Sequence, residues 1–215
     1  NTTSYLGHSA KDDIVGISEY FESLISFNYR DFKPDDFVRE TEFENLSLIS
    51  SNANLTDLEQ KLESKYKIYK LKEFLAKLEP EYDEIWLDTA PALNFFTLSA
   101  LIAANKVFIP FDCDAFSRDA LLDLIGTIEE IREDHNEELK IGGIIINQFQ
   151  ERAKLPAQAV AELKVTKLPI LKPYISSTVK IRESHQLKKP MVFLDPKHKV
   201  SEQIAELYKT IAKQK

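Results

Sequence analysis

The segment YDEIWLDTAP, Tyr82–Pro91, runs three apolar residues, Ile85, Trp86 and Leu87, into Asp88. A carboxylate at the tip of a buried strand can hold Mg²⁺, usually through water, beside the phosphates of a nucleotide. Pro91 stiffens the loop that follows. The same aspartate could instead cap the next helix. Asn147 ends a second apolar run, IGGIIIN, where its amide can face a ligand or cap the following loop. Asn52 and the residues from Asp112 to Asp114 occupy comparable places after other apolar runs. A different chemistry is written between Lys172 and Lys199. Seven basic residues (Lys172, Lys180, Arg182, Lys188, Lys189, Lys197, Lys199) face two acids, Glu183 and Asp195, a local balance of +5 in a chain of net charge −7. Such asymmetry marks either a polyanion-binding face or a solvated surface. Cys113 stands alone, which excludes an internal disulfide, and it reads as a buried small residue rather than a nucleophile. His8, His135, His185 and His198 show no metal-ligand spacing and read as surface histidines.

The elements that position these residues follow from apolar patterning. Helices are expected over Ile14–Leu24, from a Thr56 cap to Lys65, over Leu71–Leu78 and over Ala92–Ala104. Others are expected from a Ser117 cap through Ile131, over Pro156–Leu163 and over Ser201–Ala212. Strands are expected at Leu46–Ser50, Ile85–Leu87, Lys106–Phe111, Ile141–Asn147 and Ile170–Tyr174. The strands are apolar throughout rather than alternating. That pattern predicts an α/β fold with a mostly parallel sheet covered by helices on both faces. Ligands then sit at the C-terminal ends of the strands.

A length of 215 residues suits one domain over 1–215. Hydrophobic residues at 43% and charged residues at 29% fit an ordinary globular protein, the single cysteine fits a reducing cytosol, and no apolar run is long enough to span a bilayer.

Five phrases together resemble the ParA-type, deviant-Walker partition ATPases over about residues 40 to 210. ENLSLISSNANLTDLEQKLE is similar to that family's strand, Ser-Asn turn and helix. YDEIWLDTAPALNFFTLSAL resembles its Walker B and switch stretch, with a D-x-x-P core at Asp88–Pro91. KVFIPFDCDAFSRDALLDLIGTIEEIRE looks like its strand, cysteine-containing turn and long helix. IGGIIINQFQER resembles the strand and base loop, and STVKIRESHQLKKPMVFLDPKHK the late basic segment. MinD-like relatives share the fold, but the late basic segment and the turn after KVFIPF look more like ParA.

The resemblance implies a P-loop NTPase fold, ATP and Mg²⁺ as cofactors, and ATP hydrolysis for the partition of plasmid or chromosomal DNA. It implies a homodimer in the ATP state, non-specific DNA and a ParB-like protein as partners, no membrane, and a nucleoid-associated place in a bacterial cytoplasm. Asp88 takes the Mg²⁺ position through water, Asp88 and Pro91 the switch, Asn147 a position near the base, and Lys180 with Arg182 the DNA phosphates. Ser177 stands where the family has a further arginine. The five glycines (Gly7, Gly16, Gly126, Gly142, Gly143) fall in no G-x-x-x-x-G-K-[ST] context. The fold is therefore expected to lack its first strand–loop–helix–strand unit. Glu84–Leu87 would lose its neighbouring strands, leaving an interrupted sheet and no catalytic residue within the chain. A non-catalytic ParA-like binding module or fragment and a MinD-like positioning ATPase are the alternatives. The last helix, ending KTIAKQK, is expected to dock on the core rather than anchor in a membrane.

Overall fold

A computed structural model describes residues 2–6, 15–26, 32–113 and 118–214. The chain divides into two compact units, residues 1–104 and 105–215.

The first unit holds α1 (Thr2–Tyr5), α2 (Ile17–Ser23), β1 (Arg39–Glu40), β2 (Ser47–Leu48), α3 (Leu55–Ser64), α4 (Lys70–Leu75) and α5 (Phe95–Ala103). Apolar residues at helical spacing turn one face of each main helix inward. Leu58 and Leu62 of α3 and Leu71, Phe74 and Leu75 of α4 are buried with Phe21 of α2 and Phe95 of α5. Aromatic rings meet edge-on or tilted across this core, Tyr20 on Phe74 at 4.4 Å and Phe37 on Phe74 at 5.6 Å. Such pairs add about 0.5–1.5 kcal/mol each beyond area burial. Two helix starts are fixed locally. The Gly16 amide donates to Glu19 Oε2 at 2.7 Å ahead of α2, and the Thr97 amide donates to Asn94 Oδ1 at 3.1 Å to cap α5.

Two expected strands in this unit need correction. Of Leu46–Ser50, only Ser47–Leu48 is a strand, and it pairs antiparallel with Arg39–Glu40 rather than entering a buried parallel sheet. Ile85–Leu87 is in neither sheet formed by the described residues. A strand of that composition is stable when ladders on both edges satisfy its backbone, and the described residues assemble no sheet around it. Trp86 is 57% exposed in consequence.

The second unit contains β3 (Lys106–Asp112), α6 (Arg118–Asp134), β4 (Lys140–Asn147), α7 (Lys154–Leu163), β5 (Ile170–Leu171), α8 (Val179–Gln186), α9 (Met191–Leu194) and α10 (Lys199–Ala212). Its sheet is parallel in the order β3-β4-β5. Val200, Leu207 and Ile211 of α10 pack with Phe108, Ile145 and Leu171, covering one face. Ile144 and Ile146 alternate to the other face and are fully buried. The last helix therefore docks on the core, as its apolar stripe predicts. It starts two residues before the expected Ser201, where His198 Nδ1 accepts from the Val200 amide at 3.1 Å. The proposed Ser117 cap lies outside the described residues. No helix among the described residues is long and apolar enough to cross a membrane.

The double glycine of β4 sets the sheet's register. Val107 pairs with Ile141 and Phe108 with Gly143, so Gly142 is one residue more on the β4 side. Gly143 has φ +147°, and a Cβ there would lie 2.8 Å from both the Pro169 carbonyl oxygen and Leu171 Cγ. Gly143→Ala should destabilise the protein by more than about 2 kcal/mol in urea unfolding. Gly126→Ala, in the open middle of α6 with no atom within 4 Å of the added carbon, should stabilise it by about 0.5–1 kcal/mol. Equal effects at the two sites would refute the claim that the backbone at Gly143 needs glycine.

Tyr20 offers a second check on the first unit. Its hydroxyl donates to the Lys70 carbonyl at 2.8 Å. Burial first, and the Glu73 carboxylate second, push its phenol from 10 up to about 12. The folded state thus favours the neutral ring. The stability this carries is whole below pH 10 and is lost as pH rises from 10 to 12. Wild type should lose stability more steeply than Tyr20→Phe across that window; parallel curves would remove the claim.

Candidate functional site

In the first unit the polar residues gather where the two extended segments, 46–51 and 84–88, end. Thr2 Oγ1 donates to Asp88 Oδ2, and the Ser51 amide donates to Thr3 Oγ1 at 3.3 Å. The short helix α1 thereby ties both segment ends together. Asn52, a candidate by position, has a structural task. Its Nδ2 donates to Glu19 Oε1 at 3.0 Å, and its Oδ1 accepts from the Asn54 amide at 3.0 Å. The turn into α3 and the start of α2 are locked by one side chain. Asp88 itself is exposed, as are Pro91 and its neighbours. Beneath this polar end runs a cavity of about 520 Å³, lined along its length by Leu48, Ile49, Phe74, Leu75, Leu87 and Phe96. The pairing of Thr2 with Asp88 and of Asn52 with Glu19 was not read from sequence. The Thr2-Thr3 pair and the Gly16-x-x-Glu19 spacing were the available signals.

The second unit brings Asp112 and Asn147 side by side, as the last paired positions of β3 and β4. Asn147 is half-buried. Gln148 follows with φ 51°, and its Nε2 donates to Asp112 Oδ2. The turn is then held against the segment after β5. The Phe149 amide donates to the Ile175 carbonyl at 2.9 Å, and the Ser177 amide to the Phe149 carbonyl at 3.2 Å. Phe149 packs edge-on against Tyr174 at 5.0 Å.

The basic stretch contains α8, a helix the sequence reading did not anticipate, begun by Thr178 accepting from the Lys180 amide. Lys180 and Arg182 both lie on it and both are exposed, but two residues of helix separate their faces by roughly 200°. Lys180 Nζ contacts Glu183 Oε2 at 2.8 Å. That hydrogen bond, with the attraction of the same carboxylate, holds the ammonium above its ordinary range. Lys199 is likewise paired with Glu151 at 2.8 Å.

A family model for an AAA domain matches residues 1–141. The chain belongs to the ParA-type family of AAA-domain proteins. It is 29% identical over 205 residues to the chromosome partitioning protein ParA of Myxococcus xanthus, covering 94% of this chain and 70% of that protein. The Soj sporulation initiation inhibitor of Bacillus subtilis is 28% identical over 179 residues, 82% of this chain and 71% of that protein. Among solved structures, an ATP complex of McdA from Cyanothece shares the fold at TM-score 0.82 and 20% identity, over 99% of this chain and 81% of that one. The Myxococcus relative is thus a chromosome partitioning protein, and this chain carries an α/β fold with a parallel sheet.

The residues present can be tested against the Mg²⁺ and ATP such relatives use. No group of three or more His, Cys, Asp or Glu among the described residues could hold a metal by itself. Asp88 offers an exposed carboxylate beside the Thr2 hydroxyl. That donor set fits Mg²⁺ shared with phosphate oxygens and water, the usual mode for this ion, and does not fit a free-standing metal site. The 215 residues contain no phosphate-cradling G-x-x-x-x-G-K-[ST] sequence.

Proposed function

We propose that this protein is an ATPase of DNA partition, with a plasmid or chromosome as cargo. It dimerises around ATP, binds DNA without regard to sequence in that state, and has its hydrolysis stimulated by a ParB-like protein. The observation that carries this reading is the match to Myxococcus xanthus ParA through 94% of the chain. Residues 1–215 serve as one functional domain in a bacterial cytoplasm, associated with the nucleoid. Asp88 and Thr2 would hold Mg²⁺ through water beside the phosphates, and Pro91 would limit the loop that moves as the phosphates change. Bound Mg²⁺ would supply neutralisation of charge developing on the transferred phosphoryl group. Asn147 would face the base. Lys180 and Arg182 would neutralise DNA phosphates, each releasing condensed counterions.

Two measurements test the reading. The 215-residue chain, mixed with Mg²⁺-ATP, should neither bind it tightly nor hydrolyse it, because no cradle of backbone amides and lysine is within these residues. Hydrolysis by that chain that is lost on Asp88→Ala would overturn the role assigned to the cradle.

For DNA, Lys180→Ala with Arg182→Ala in the protein should weaken binding to unrelated sequences by a similar factor. The slope of log affinity against log salt should fall by about two. Glu183→Gln should strengthen binding by freeing Lys180 from its ion pair. Hydrolysis without DNA should be unchanged in both variants. An unchanged salt slope assigns α8 to the solvated surface instead.

A further inference from the structure

We infer that Asp112 sets the purine preference of this protein by fixing which way the amide of Gln148 points. The inference rests on the reading that places a nucleotide base beside Asn147. Asp112 and Asn147 end the paired part of β3 and β4, and Gln148 is the next residue. An ionised carboxylate only accepts hydrogen bonds, whereas a glutamine amide has a donating and an accepting end. The Gln148 Nε2 therefore faces Asp112 Oδ2, and its Oε1 is turned away from the carboxylate. Gln148 is exposed, so that oxygen is open to a ligand. Its backbone is held at φ 51°, a conformation costly for a residue with a side chain. The amides of Phe149 and Ser177 hold the turn in place through their bonds across to the segment at 175–177.

The outcome is a fixed acceptor beside Asn147. Adenine presents its N6 amino group as a donor, and guanine presents O6 as an acceptor at the same position. An acceptor locked there favours adenine by one hydrogen bond and opposes guanine by two oxygens facing each other. Asp112 is a positioning residue in this scheme, and Gln148 is the one that reads the base.

Titration calorimetry of the protein with Mg²⁺-ATP and Mg²⁺-GTP, at concentrations that resolve weak binding, decides it. Wild type should bind ATP more tightly than GTP. In Asp112→Asn the new amide can donate to Gln148 Oε1 and turn the Gln148 NH₂ outward toward guanine O6. The ATP-to-GTP affinity ratio should fall about fivefold to tenfold, chiefly through a gain in GTP binding. Gln148→Leu should also lower the ratio, but through a loss of ATP binding. Melting temperature, read in parallel, identifies unfolded variants, and Gln148→Leu, at an exposed position, keeps the test open should Asp112→Asn be one of them. An unchanged ratio with ATP still bound overturns the inference and leaves the ATPase reading standing. An equal loss of both affinities shows a merely structural role and overturns it too. Failure of wild type to bind either nucleotide overturns the ATPase reading itself.

Discussion

Parallel pairing of Lys106–Asp112 with Lys140–Asn147 is the constraint on which the second unit depends. It puts Asp112 level with Asn147, so the polar residues after two strands distant in sequence emerge at one edge. The extra residue at Gly142 decides which residues are level. Without that bulge the register beyond Val107 would slip by one, and each side chain of β4 would turn to the opposite face relative to its neighbour on β3. Ile145 would then no longer share a side with Phe108 under α10, and Ile144 and Ile146 would lose their full burial. The bulge at Gly142, with the glycine-only conformation of Gly143 beside it, thus links the packing of the core to the geometry of the strand ends.

Much of this unit was legible because its signals are local. Lys106–Phe111 and Ile141–Asn147 are long apolar runs, and each is a strand within one residue of the expected bounds. Helix α8 escaped notice because Val179–Gln186 carries no apolar stripe; only Ser184 is fully buried. Its amphipathic signal is absent because solvent surrounds most of it. The link between Asp112 and Gln148 was illegible for another reason. It joins residues 36 apart, and it exists only once the register is set.

The first unit shows how far composition can mislead about a strand. Ile85, Trp86 and Leu87 have the residue types of a buried parallel strand, yet they join neither sheet. Residue type reports that a segment suits a two-sided apolar environment. It does not supply the neighbouring ladders that make one. What replaces the ladder at Asp88 is a side-chain contact from Thr2, and at Ser51 one from Thr3. The apolar lining between Leu48 and Leu87 remains as a cavity of about 520 Å³. The carboxylate expected at a strand tip thus has a hydroxyl partner on a four-residue helix rather than a place in a sheet.

Charge distribution bears on the polyanionic partner proposed above. A chain of net charge −7 repels DNA at long range, but beyond a Debye length of about 8–10 Å that field is screened at physiological salt. Contact then depends on local charge, and α8 with its flanks supplies it. Lys180 and Arg182 face roughly 200° apart around the helix axis, so they cannot grip one phosphate as a pair. They can straddle a ridge, one on each side of the helix, as a backbone presented edge-on would require. Glu183 occupies Lys180 in the meantime, and at half-exposed side chains such a pair is cheap to exchange. In the proposed role the ion pair would therefore moderate binding rather than block it. A sequence-independent grip that can be released needs contacts of that modest strength.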